Sequence, residues 1–254
     1  MSAIYVNNIQ SSTGTTVVIP AGNALSFAGT QLNANTILPS PSGQAGKMIF
    51  SNGTSYEFGD YGAVRILNFV NPGSYVVPSN VSMVHVRLVG AGGGGSGHGE
   101  SGGSGGYAEG FFTTSQLGGA GASIAIQVGT GGSATYYSGS SGNGGTTSFG
   151  SFLSATGGRG ANSVNQHCGG HGGLGSGGSV ALYGGGAGGH CTYNHRGGSS
   201  YFGGGGAAGH PQGGAYAFNH SQNAAPGGGG AGEHYRSYQG AVGKTGIIII
   251  MEYR

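Results

Sequence analysis

Nine histidines, two cysteines and six carboxylates set the limits of the chemistry open to this chain. The tightest groupings are His167-Cys168-x-x-His171 and His190-Cys191-x-x-x-His195. Imidazole and thiolate are good zinc ligands, and each grouping brings three of them into one short segment. Against a metal, His171 sits inside a glycine triplet and would point along an extended rod. Two cysteines are too few for a disulfide framework, and a Cys168–Cys191 bond does not suit synthesis in a reducing cytosol. These histidines and cysteines therefore read as surface or packing residues, with no metal and no cofactor expected. Enzyme chemistry is also poorly served. Of Glu57, Asp60, Glu100, Glu109, Glu233 and Glu252, only the first two are close in sequence, whereas a glycosidase needs two carboxylates across a cleft. No strand–elbow–helix context exists for a serine nucleophile. Gly90–Gly95 satisfies G-x-G-x-x-G, but the glycine-rich residues after it cannot form the helix that a dinucleotide site requires. Gly243-Lys244-Thr245 lacks the upstream glycine of a phosphate loop. No catalytic activity is expected.

What remains is recognition. Five inserts carry aromatic and amide side chains at high density. Ser133–Ser141 contains Tyr136 and Tyr137. Ala161–Cys168 contains Asn165, Gln166 and His167. His190–Phe202 contains Tyr193, Asn194, His195, Arg196 and Tyr201. His210–Ala224 contains His210, Gln212, Tyr216, Phe218, Asn219 and His220. Glu233–Gln239 contains Glu233, His234, Tyr235, Arg236 and Tyr238. Tyr supplies rigid amphipathic contact area at low entropic cost, and Asn and Ser supply adaptable hydrogen bonds, as in antibody loops. These residues are the candidate binding set, and the chemistry they imply is non-covalent.

Glycine must position them. The chain has 64 glycines, all but nine from Gly90 onward. Each brings no apolar surface and loses more backbone freedom on folding than any other residue. The glycine runs carry almost none of the Lys, Glu and Pro of solvated tails. They show a triplet phase instead: Ser101, Ser104 and Tyr107 are each separated by two glycines, and so are Cys168, His171 and Leu174. Three residues per turn is the period of the extended left-handed helix, which makes no internal hydrogen bonds. Helices with glycine on two of three faces can pack backbone to backbone. The runs are therefore expected to be polyglycine II helices, shuttling antiparallel, with main chain as their core. Alanine in mid-run, at Gly186 or Gly229, is expected to wedge two backbones apart. Plain segments, Thr146–Thr156 and Ser179–Tyr183, are expected at one end of the stack and the aromatic inserts at the other.

The rest of the chain reads as β/irregular, with no amphipathic helix. Strands are expected at Ser82–Val89, Ala108–Phe112, Ser123–Val128 and Gly246–Tyr253, the last pairing with the first to close the base. Residues 1–65 form a separate β-rich unit, with Lys47–Ser51 and Ser55–Phe58 flanking a turn at Asn52-Gly53. The glycine-rich unit spans 66–254. A formal charge of +2 without a basic stripe argues against nucleic acid. The five-residue apolar run Ile247–Met251 is too short to span a bilayer.

Gly-rich segments alternating with Tyr/His/Asn inserts, closed by GKTGIIIIMEYR and preceded by GKMIFSNGTSYEFG, resemble the receptor-binding adhesins at the tips of long tail fibres in T-even-type bacteriophages. The resemblance implies a virion protein, made in the host cytoplasm, that caps a homotrimeric distal tail-fibre protein through its N-terminal region. It also implies a sandwich of polyglycine II helices. Its variable inserts would contact an outer-membrane protein or lipopolysaccharide and set host range, without membrane insertion. Two other readings compete with it. A fibre-assembly chaperone would leave after folding and would not need so many glycine runs. A structural or ice-binding polyglycine protein would present flat, regular faces and short turns.

Overall fold

The computed structural model describes strands within residues 24–59, and then residues 65–136, 139–162, 169–186, 196–207, 224–232 and 239–253. Two compact units divide the chain, Met1–Tyr61 and Gly62–Arg254. The described part of the first consists of two antiparallel hairpins. β1 (Ala24–Phe27) pairs with β2 (Thr30–Asn33), and β3 (Met48–Ser51) with β4 (Tyr56–Gly59). The second hairpin flanks the Asn52-Gly53 dipeptide, a strong tight-turn signal. Thr15–Ile19, a β-branched segment, lies outside the described residues.

The second unit has two parts, a β-sandwich and a glycine stack. One sheet of the sandwich has the order β13-β8-β7-β14-β5 and the other β12-β11-β10-β9-β6. Their members are β5 (Arg65–Phe69), β6 (Gly73–Val76), β7 (Met83–Val89), β8 (Tyr107–Thr113), β9 (Ser123–Gln127), β10 (Thr147–Phe149), β11 (Leu153–Ala155), β12 (Gly175–Gly177), β13 (Val180–Leu182) and β14 (Ile247–Tyr253). Every pairing is antiparallel, and β14 lies between β7 and β5, with Ile250 opposite Val86 and Leu67. The expected closure of the base by the C-terminal strand is present. Burial in β14 alternates with the two-residue strand period: Ile248, Ile250 and Glu252 face inward. Ile248 and Ile250 meet Val84, Val86, Leu88, Phe149, Leu153 and Ile126 in one core between the sheets. Two hairpins join the sheets at their edges. β5–β6 crosses on one flank and β12–β13 on the other, the latter through Gly177 and Gly178 in the left-handed region.

The plain segments expected as connections are strands: Thr146–Thr156 holds β10 and β11, and Ser179–Tyr183 holds β13. At three residues each, they are too short for alternation to declare itself. Among the described residues, Glu252 is the one acid buried between the two sheets. Tyr75 Oη donates to it at 3.2 Å across the sandwich, and Arg65 approaches at 3.8 Å. Burial, and then the carboxylate itself, push the Tyr75 hydroxyl far above its ordinary range, so it stays a donor.

From the sandwich the chain rises repeatedly into glycine runs: 90–96, 100–106, 129–135, 141–146, 156–161, 169–174, 184–186, 196–200, 203–207, 227–232 and 239–246. Their bonding has a strict period of three. Gly90, Gly93 and Ser96 N donate to Gly106, Gly103 and Glu100 O. Ala91 and Gly94 donate to Gly145 and Gly142, and Gly92 and Gly95 to Lys244 and Ala241. The carbonyls of the same run accept from three further runs: Ala91 and Gly94 O from Gly158 and Ala161, Gly92 and Gly95 O from Gly132 and Thr135, and Gly93 O from Gly230. Run 90–96 is thus ringed by six others. The three that take its N–H groups are antiparallel to it, and the three that supply its C=O groups are parallel. Run 100–106 is also ringed by six, namely 90–96, 156–161, 169–174, 184–186, 196–200 and 227–232, but of the three that donate to its carbonyls 90–96 is antiparallel to it, whereas 169–174 runs parallel.

Two adjacent ringed runs generate layers. The middle layer is 129–135, 90–96, 100–106 and 184–186. One outer layer is 141–146, 156–161 and 169–174. The other is 239–246, 227–232 and 196–200, with 203–207 beyond it. Expected antiparallel packing holds for the hairpins within the stack, while the parallel contacts arise because a three-fold helix bonds in three directions and cannot be served by hairpin partners alone. Inside the stack only a few small side chains, such as those of Ala91, Ser101 and Ser104, interrupt the glycine backbone. A Cβ on Gly93 would lie 2.1 Å from Arg159 O, and one on Gly229 would lie 1.9 Å from Gly102 O. Gly186 differs from the expectation made for it: among the described residues its nearest neighbour, Gly170 O, is 4.0 Å away. It is the last described residue of its run, and no other backbone among the described residues comes nearer.

Candidate functional site

The strands fix the polarity of the stack. Val89, Tyr107, Gln127, Thr147, Ala155, Gly175, Leu182 and Ile247 all lie where a strand meets a run. At the opposite end, or tip, the runs are joined by residues 97–99, 136–140, 162–168, 187–195 and 233–238. Five connections therefore have their described roots at this end, and four of them belong to the aromatic inserts. The fifth insert behaves differently. Ala225 N donates to Gly204 O and Gly206 N to Gly229 O, so the runs on its two sides are parallel. Residues 208–223 thus connect opposite ends of the stack, rather than returning to the end they left.

The described tip is ordered by short side chains bonding to backbone. Thr135 N donates to Gly95 O at 3.2 Å, and its carbonyl accepts from Gly97 at 2.9 Å and Gly240 at 3.1 Å. Ser141 Oγ donates to Gly95 O at 2.8 Å, and Gln239 Nε2 to Ala134 O at 3.1 Å. At the centre lies the turn between the two ringed runs. Ser96 Oγ donates to the Glu100 carboxylate and accepts from Glu100 N at 3.2 Å. His98 Nδ1 stands 3.5 Å from Glu100 Oε1. Glu100 is fully buried, so this turn is a fixed feature of the tip. Sequence reasoning missed it. The available signal was a histidine and an acid interrupting the longest glycine run.

Of the candidate binding residues, three are described. Tyr136 is at the tip and 64% exposed. Arg196 is exposed at the tip end of run 196–200. Tyr201 is at the other end, beside the sandwich, stacked on Tyr107 with ring centroids 3.7 Å apart. Tyr137, Asn165, Gln166, His167, Tyr193, Asn194, His195, His210, Gln212, Tyr216, Phe218, Asn219, His220, Glu233, His234, Tyr235, Arg236 and Tyr238 lie outside the described residues. So do Cys168, His190 and Cys191; His171 is described and exposed. Among the described residues, no three His, Cys, Asp or Glu side chains converge as a metal site. None of the described segments is a helix long and apolar enough to cross a membrane.

Residues 69–253 match the family model of a glycine-rich domain, which spans both the sandwich and the stack. The chain belongs to this glycine-rich domain family. No curated protein matches it. The glycine-rich domain carries a second polar cluster, on the outer face of the β7/β8 sheet. His85 Nε2 lies 2.6 Å from Glu109 Oε1, Tyr107 Oη donates to Glu109 Oε2, and Arg87 Nε donates to Tyr107 Oη at 2.9 Å. Burial pushes the Tyr107 hydroxyl well above its ordinary range. The bond from Tyr107, and then the bond from His85 and the nearby Arg87 charge, outweigh partial burial and hold the Glu109 carboxyl below the usual carboxylate range. A carboxyl held low by the fold binds its proton more weakly there than in the unfolded chain. Its stabilisation is full above the ordinary range and is lost as pH falls through the lowered value. Glu109→Gln is therefore expected to flatten the acid side of the stability curve. The check is a smaller fall in Tm than the parent shows between about pH 6 and about pH 3.

Proposed function

We propose that this glycine-rich domain is the receptor-binding part of an adhesin at the distal tip of a bacteriophage long tail fibre. The N-terminal unit would attach it to the homotrimeric distal fibre protein. The inserts, through Tyr136, Arg196 and the other aromatic and amide residues of their sequences, would bind an outer-membrane protein or lipopolysaccharide and set host range. The observation that carries this reading is convergence. Four inserts rich in Tyr, His and Asn are rooted at one end of a scaffold whose interior is bonded main chain. Roots held this way lose little entropy when a ligand binds. The mechanism is non-covalent, and no catalytic step is assigned.

The test is capture of solubilised outer-membrane components by the purified protein, with a control in which residues 163–168 and 233–238 are replaced by Ser/Gly of equal length. The expected result is one dominant outer-membrane species held by the parent and lost by the control, with both proteins melting alike. Capture of the same species by both would remove the inserts from the binding surface. Release of the protein from mature fibres would favour an assembly chaperone instead.

A further inference from the structure

Run 203–207 is the least enclosed in the stack. Runs 90–96 and 100–106 each bond to six others, whereas 203–207, among the described residues, bonds only to 196–200 and to the segment 225–232. Gly197 N donates to Gly206 O at 2.9 Å, Gly206 N to Gly229 O at 2.9 Å, and Ala225 N to Gly204 O at 3.0 Å. A Cβ on Gly204 would meet nothing within 4 Å. Yet this hairpin of runs bears two inserts: residues 187–195 end where 196–200 begins, and 208–223 start where 203–207 ends.

The anchor of the hairpin is its turn. Ser200 N donates to Gly203 O at 2.9 Å and Gly203 N to Ser200 O at 3.2 Å, which closes the loop around Tyr201 and Phe202. Their rings pack on the outer face of the β7/β8 sheet. Tyr201 stacks on Tyr107 at 3.7 Å and 14°, and Phe202 meets Tyr107 edge-on at 6.0 Å and 78°. The Arg87 guanidinium lies 5.5 Å from both the Tyr201 and the Phe202 ring centroids. The platform beneath is rigid: Tyr107 is 1% exposed, and its hydroxyl is bonded to both Arg87 and Glu109. Stacking of this geometry and a cation beside the rings both add to simple burial.

We infer that Tyr201 is a positioning residue: its ring clamps the 200–203 turn to the sheet and so holds runs 196–200 and 203–207, and the roots of two inserts, in register with the stack. Its part in ligand binding rests on the adhesin reading; the clamp itself does not. Tyr201→Ala is expected to speed amide exchange about fivefold to tenfold at Gly197, Gly206 and Ala225. Gly93 and Gly103, inside the ringed runs, should keep parental rates and report an intact fold. Tyr201→Phe, which keeps the ring and loses only the hydroxyl, should restore both exchange and capture of the outer-membrane species.

Parental exchange in Tyr201→Ala would overturn the clamp. Capture lost without any change in exchange would also overturn it, because the ring would then be touching the ligand directly. Faster exchange with full capture would overturn the positioning role. A parent protein that captures nothing removes the adhesin reading, and the exchange pattern then decides the clamp alone.

Discussion

Gly93→Ala is expected to cost the glycine-rich unit about 4 kcal/mol or more, while Gly186→Ala changes stability by less than about 0.5 kcal/mol. Both are single methyl additions in glycine runs, so the contrast isolates packing. At Gly93 the new carbon would lie 2.1 Å from Arg159 O and 2.3 Å from Arg159 C. Ordinary contact begins at about 3.4 Å, so run 156–161 would have to withdraw by more than 1 Å. It cannot do so freely. Arg159 N is bonded to His171 O at 2.8 Å, and Arg159 O accepts from Gly103 at 2.9 Å. Gly93 itself donates to Gly103 and accepts from Gly230. The methyl therefore strains at least four runs, and each buried backbone bond that breaks costs about 1–3 kcal/mol. Collagen shows the same sensitivity wherever only glycine fits at a crowded axis. At Gly186 the nearest atom of the described residues is 4.0 Å away and φ is not in the left-handed region, so alanine is accommodated. Thermal and denaturant melts of the two variants check this. Equal melting would mean that main chain is not the core of the stack.

The period of the runs was legible because glycine spacing is itself the code for a three-residue turn. Their neighbours were not. A glycine backbone carries no side-chain pattern to specify which distant run it meets, so the parallel contact between Gly230 and Gly93 leaves no trace in either segment. The central position of run 100–106 was equally hidden. Ser101, Ser104 and Tyr107 look like an outward-facing triplet, yet all three are buried. Ser104 Oγ donates to Ser199 O at 2.8 Å, and Ser101 Oγ accepts from Gly232 at 3.0 Å, so small hydroxyls fill gaps where runs diverge. By contrast Arg159 and His171, in the same triplet phase, face outward from an outer layer. Ile247–Tyr253 was legible as a strand because seven residues show both composition and length. Gly175–Gly177 was not, because a Gly-Ser-Gly strand has no pattern at all. Composition identified the inserts but not their limits. It assigned Tyr201 to a binding insert, although that residue stands on the sheet at the far end from Tyr136.

Those limits govern the second large effect. Replacing residues 187–195 by the corresponding residues of a different insert is expected to change binding to the captured outer-membrane species by about 100-fold or more, at parental Tm. Replacing the whole of His190–Phe202 is expected to unfold this part of the stack. The longer segment includes Gly197 and Gly198, where a Cβ would lie 1.9 Å from Gly229 O and 2.2 Å from Gly185 O. It also includes the Tyr201 and Phe202 rings that hold the turn. The shorter segment stops short of every one of these contacts. Residues 233–238 form a matching pair with their flanks: Gly232 and Gly240 on either side each leave a Cβ only 2.4 Å from backbone carbon, of Gly99 and Gly95 respectively. A foreign insert at this position must therefore leave Gly232 and Gly240 in place. The binding change should track the loop residues, and the stability change should track the glycines at its roots. Parental binding by the 187–195 replacement, together with parental binding by the 233–238 replacement, would separate the inserts from recognition altogether. Parental melting of a His190–Phe202 replacement that lacks glycine at positions 197 and 198 would refute the backbone-packed root.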